Sequence, residues 1–152
     1  MKILDVLNEQ AVLVDLKSND KKGVLDELVA PVARMTGTGP EALVKVLMER
    51  ERLGSTGIGG GIGIPHGKLQ ALNDLILGFG LSRSGVDFES MDGRPTYIFF
   101  LLLVPESSAG LHLKLLAQIS RLLKNEDFKA QLMQATNAQE VLRIISEKDE
   151  EI

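Results

Sequence analysis

Tyr97-Ile-Phe-Phe-Leu-Leu-Leu-Val104 is apolar at nearly every position, and its reading decides the fold. A strand with one wet face alternates apolar and polar side chains; a run without alternation is covered on both faces. Such a strand belongs at the centre of a sheet with helices on either side. Leu75-Ile-Leu-Gly-Phe-Gly-Leu81 and Ala11-Val-Leu-Val-Asp-Leu16 read as further strands, and a short one is expected at 62–64. Ser84-Gly85 and Asp92-Gly93 mark turns.

Helical periodicity fills the rest. Ser18 is the expected N-cap of a helix over about 20–35, with Val24, Leu25, Leu28, Val29 and Val32 on one face and a kink at Pro31. Thr38 and Glu41 form a capping box for a second helix ending near Arg52. Beyond Pro105 and the polar loop Glu106-Ser-Ser-Ala-Gly110, a helix over 111–123 turns Leu113, Leu116, Ile119 and Leu123 inward. Two more follow at 127–135 and, capped by Asn137 with Glu140, at 138–147. Helices before and after a small group of strands imply an α/β sandwich with a mixed sheet, a single domain over 1–152 whose acidic tail frays beyond about 147.

At 152 residues, 44% hydrophobic and 25% charged, the chain is an ordinary globular one. A net charge of -4 argues against a nucleic-acid footprint. The absence of cysteine excludes thiolate nucleophiles and thiolate metal sites. The N-terminus lacks the apolar core of a secretory signal, and no run reaches the roughly 18 residues of a membrane span, so a cytoplasmic protein without membrane insertion is expected.

One segment fits no packing role: Gly54-Ser-Thr-Gly-Ile-Gly-Gly-Gly-Ile-Gly-Ile-Pro-His-Gly67. Glycines accumulate where a backbone bends sharply or is closely approached, and Pro65 biases Ile64 toward extended structure. The segment presents His66, one of two histidines, in a defined orientation. It is not a dinucleotide fingerprint, because Ile62 and Ile64 stand where the third glycine is needed, and Gly67-Lys68 lacks both the upstream glycine and the following hydroxyl of a P-loop. Two distant histidines give no metal-ligand spacing, and no nucleophile elbow exists. His112 opens a helix just past the central strand, where sites in open α/β sheets gather. Alone it reads as readily as a capping residue. Arg50 and Arg52, at the end of the second helix, lead into the glycine segment, and either is a solvated helix-end charge or a guanidinium for an anion near His66.

Gly54-Ser-Thr-Gly-Ile-Gly followed by Ile-Gly-Ile-Pro-His-Gly-Lys68 resembles the active-site signature of the fructose/mannitol-type (type 2) enzyme IIA components of the bacterial phosphoenolpyruvate-dependent phosphotransferase system. The lead-in and the lysine are most similar to the nitrogen-related branch. Arg50-Glu51, Leu-Leu-Leu-Val-Pro at 101–105 and Leu111-His-Leu113 extend the resemblance over about 1–147. Gly63, where the family usually has alanine, and Gly60 depart from the pattern. The resemblance implies a phosphotransferase component that accepts a phosphoryl group on Nε2 of His66, with His112 and Arg50 stabilising its oxygens. It implies no cofactor and no metal. The donor would be a small histidine phosphocarrier protein, and the output regulatory, read by target proteins. The alternatives are a sugar-specific IIA subunit serving a separate IIB, and a regulatory binding module that is not phosphorylated.

Overall fold

The computed structural model describes residues 1–108 and 110–151; Ala109 of the polar loop and Ile152 of the tail lie outside the described residues. In chain order the elements are α1 (Ile3–Val6), β1 (Leu7–Leu13), α2 (Lys21–Thr36), α3 (Pro40–Arg52), β2 (Gly57–Gly59), β3 (Ile62–Gly63), β4 (His66–Leu69), β5 (Ile76–Val86), β6 (Thr96–Pro105), α4 (Leu111–Leu122), α5 (Glu126–Gln134) and α6 (Ala138–Ser146). The strands form one sheet in the order β1-β5-β6-β3-β2, with β4 also paired to β6. β1 is parallel to β5, β5 antiparallel to β6, and β3 and β4 both parallel to β6, which makes the sheet mixed, as the sequence predicts.

β6 is the buried centre. Ile98, Phe100, Leu102 and Val104 point into the core under α4–α6, while Phe99, Leu101 and Leu103 point into the core under α2 and α3. Each face is pinned by an edge-to-face aromatic pair, Phe79 with Phe100 at 5.2 Å and Phe88 with Phe99 at 5.1 Å between ring centres. Burying each such ring contributes about 1.5–3 kcal/mol, so two cores share one sheet and hold it from both sides.

β3 and β4 occupy the same edge of β6 in one unbroken register: Ile62 lies beside Ile98, Gly63 beside Phe99, His66 beside Leu102. The two residues between them are Ile64 and Pro65, whose missing N–H interrupts the ladder. The carbonyl of Pro65 nevertheless accepts from Leu102 N–H at 2.9 Å, so the chain stays on the sheet.

Several local expectations are corrected. The first strand begins at Leu7 rather than Ala11 and ends at Leu13. Asp20, not Ser18, caps α2, accepting from Gly23 N–H; the N–H of Ser18 is taken instead by the Glu27 carboxylate. α3 has no Thr38–Glu41 box: Gly39 is its N-cap and Pro40 its first residue. Ser84-Gly85 is not a turn, because β5 continues through it to Val86 with a register shift on the way. Leu113 faces solvent, 61% exposed, and α4 buries Leu115, Gln118 and Ile119. Beyond 147 the tail makes contacts with the body of the fold. Asp149 accepts from the N–H groups of Ile3 and Leu4 at 2.7 and 2.9 Å, and Gln118 donates to the carbonyl of Glu150.

Candidate functional site

His66 opens β4, a strand the sequence does not announce. Its neighbour Leu102 belongs to the core under α4–α6, and paired residues of adjacent strands share a face, so the imidazole stands on that side of the sheet. Gly67 takes the opposite face, against Val46 of α3. Lys68, two residues on, returns to the side of His66. His66 is half-buried, at the open edge of the sheet.

Nδ1 of His66 lies 2.8 Å from the carbonyl oxygen of Ile64. A carbonyl can only accept, so Nδ1 carries the proton and donates. In the neutral ring this leaves the lone pair on Nε2. Pinning one nitrogen thus specifies the other as the nucleophile.

His112 is the second residue of α4 and half-buried. Its Nδ1 is 3.2 Å from Oγ of Ser108. Burial lowers its pKa below the ordinary 6.5, and the positive charge of Lys68, then the neighbouring His66 ring whenever it is protonated, lower it further. The fold therefore brings His66, His112 and Lys68 close enough for their charges to interact. α4 starts at Gly110 without a side-chain cap, so a helix N-terminus adds to the positive character there. Such a setting favours an anion.

Arg50 lies in the last turn of α3, and its guanidinium donates to the carbonyl of Gly54 at 2.9 Å. It holds the loop and not His66. The loop itself runs along the site's edge, since Ile64 N–H donates to the carbonyl of Thr56 at 3.0 Å. Behind it sits a buried cluster. The Glu51 carboxylate accepts from Lys21 Nζ at 2.8 Å, from Thr56 N–H at 3.0 Å and from the Thr56 hydroxyl. Lys21 also lies over the Phe88 ring, 4.8 Å from its centre.

Sequence reasoning passed over Lys68 and Glu51 as site residues. Lys68 was legible only if 66–69 had been read as strand, when period-two alternation puts it beside His66. The role of Glu51 has no local signal, because its partners come from α2 and from the loop.

The chain matches the model of the phosphoenolpyruvate-dependent sugar phosphotransferase system EIIA 2 family over residues 5–148. It is 42% identical over 146 residues to a nitrogen regulatory protein of Bradyrhizobium diazoefficiens, covering 96% of this chain and 95% of that one. It is 33% identical over 150 residues to the fructose-specific EIIABC component of Bacillus subtilis, covering 98% of this chain and 24% of that larger protein. Among solved structures, the nitrogen regulatory protein IIA-Ntr of Neisseria meningitidis superposes with a TM-score of 0.88 at 30% identity, over 93% of this chain and 97% of that one.

Proposed function

The chain belongs to the EIIA 2 family of the phosphoenolpyruvate-dependent sugar phosphotransferase system, and from that premise we propose that it is a phosphoryl carrier with a nitrogen-regulatory role, loaded on Nε2 of His66. The observation that carries the reading is the Nδ1 contact of His66 with the Ile64 carbonyl, which leaves Nε2 as the free nucleophile. Nε2 attacks the phosphorus of a phosphohistidine on a small phosphocarrier protein. The donor's N–P bond breaks as the new N–P bond forms, and the bonding pair returns to the donor nitrogen. The two bonds are alike, so the step runs either way. Catalysis reduces to alignment and to stabilising three phosphoryl oxygens. Lys68 and His112 stand on the side of the imidazole for this work, and Arg50, which bonds the Gly54 carbonyl in the unloaded protein, is the third group assigned to it.

The regulatory role rests on the near full-length similarity to nitrogen regulatory proteins. Among the described residues no helix is long and apolar enough to cross a membrane, in keeping with work in the cytoplasm. The similarity to a fructose-specific component favours a second reading, a sugar-specific IIA domain that hands its phosphoryl group to a separate IIB. Incubation with phosphoenolpyruvate, enzyme I and a histidine phosphocarrier protein tests the carrier. The expected product is one acid-labile, base-stable phosphoryl group, absent from His66→Ala. A stable wild-type mass with several competent donors would leave only a silent binding module. Transfer onward to a purified IIB would favour the sugar-specific reading.

A further inference from the structure

Resting on the reading of His66 as phosphoryl acceptor, we propose that the buried Lys21–Glu51 pair is a positioning device for His66, acting through Thr56 and the Ile64 peptide. The contacts form one continuous path. Lys21 donates to Glu51, Thr56 gives both its N–H and its hydroxyl to the same carboxylate, Ile64 N–H donates to the Thr56 carbonyl, and His66 Nδ1 donates to the Ile64 carbonyl. The path starts at the first residue of α2, crosses the last turn of α3 and ends on the imidazole.

The ion pair is poorly explained as a source of stability. Its side chains are 9% and 2% exposed, and removing two charges from water offsets most of what their attraction returns. Apolar side chains of the same size would hold the α2–α3 junction about as well. What they could not do is fix a direction. Three donors converge on one carboxylate, and two of them belong to Thr56, so the orientation of that residue is set.

Thr56 in turn sets Ile64 from the β2 side, opposite β6. N–H and C=O of one strand residue point to the same edge, and both groups of Ile64 point away from β6. The neighbouring Pro65 carbonyl points inward, to Leu102. Because Pro65 has no N–H, the ladder with β6 is incomplete at this step. The edge bond from Thr56 therefore decides where the Ile64 carbonyl lies, and that carbonyl decides which imidazole nitrogen keeps its proton.

The test uses the full chain, comparing wild type with Lys21→Met/Glu51→Leu, Thr56→Val and Glu51→Gln. Long-range proton–nitrogen correlation of His66 in the unphosphorylated protein reads the tautomer. Phosphoryl uptake from the phosphocarrier protein reads the rate. We expect wild type to show Nδ1–H with a bare Nε2. In the double variant the two nitrogen shifts should move toward averaged values, and uptake should slow on the order of tenfold or more. Thr56→Val should change in the same direction by less. Glu51→Gln, which keeps the shape and most hydrogen bonds, should recover most of both. A folded double variant with wild-type nitrogen shifts and rate overturns the proposal. Should that variant fail to fold, wild-type values in Thr56→Val overturn it. The tautomer is read without any donor, so a protein that takes up no phosphoryl group defeats the carrier reading alone.

Discussion

Gly67 faces Val46 so closely that a Cβ on the glycine would stand 2.7 Å from a Val46 methyl. This is the contact by which β4 lies flat on α3, and it sits one residue from the imidazole. Val46 is β-branched and stiff, so it cannot swing aside. Gly67→Ala should destabilise the fold by about 1–3 kcal/mol through overpacking. Val46→Ala in the same chain should restore much of the loss. Urea unfolding of the two variants and the pair checks this; additive losses would show that the clash is relieved elsewhere.

His112 should titrate below the ordinary 6.5, because burial, then the charge of Lys68 and that of a protonated His66, favour its neutral form. A base whose folded pKa is lowered binds fewer protons folded than unfolded. Its contribution to stability is thus present above the unfolded pKa and declines as pH falls through the window between the two. Lys68→Gln should raise the titration midpoint, and phosphorylation of His66 should raise it further by adding negative charge. Proton NMR titration of the ring gives all three values. A midpoint unmoved by Lys68→Gln would separate that lysine from the site.

Asp92 holds the turn between β2 and β3. Its carboxylate accepts from the N–H groups of Gly60 and Arg94, and those bonds, Arg94 first, lower its pKa below 3.8. The stabilising effect is therefore present above about 3.8 and is lost as pH falls through the lower, folded value. Gly60, with φ of +66°, lies in the left-handed region, so the turn depends on such outside support. Amide exchange at Gly60 should accelerate in acid, after correction for intrinsic rates, and in Asp92→Asn at neutral pH.

Asp149 caps α1 from the far end of the chain. Asp149→Ala should cost about 0.5–2 kcal/mol, as the loss of a helix cap does. Thermal unfolding should register it, with faster exchange at Ile3 and Leu4. Unchanged exchange there would mean the tail contact is idle in solution.

How much of this was legible depended on whether a residue's partners were near in sequence. The all-apolar stretch at 97–104 announces the centre of the sheet because burial on both faces leaves a compositional mark. Strand β4 leaves none: His-Gly-Lys-Leu has weak strand character, and it is extended because Leu102–Pro105 offers it an edge. With β4 unread, Lys68 could not be placed beside His66. Leucines at 111, 113, 115 and 116 made the inward face of α4 ambiguous, and Leu113 fell on the wrong side. Ser18 lost the cap to Asp20 because Glu27 reached back to claim its backbone. Glu51 is the plainest case. A buried carboxylate is intelligible only once Lys21 and Thr56 are seen to meet it.

The alternation along β6 has a further consequence. Since odd and even positions serve different cores, the sheet acts as a partition, and His66 lies on one side of it with Lys68 and His112. A charge placed on that imidazole is felt directly by α4 and its surroundings, and reaches α3 and α2 only round the sheet edge, through Arg50 and the Thr56–Glu51 contacts. Whatever distinguishes the loaded from the unloaded protein should therefore read the α4 face together with the sheet edge where Arg50 and the glycine loop meet it.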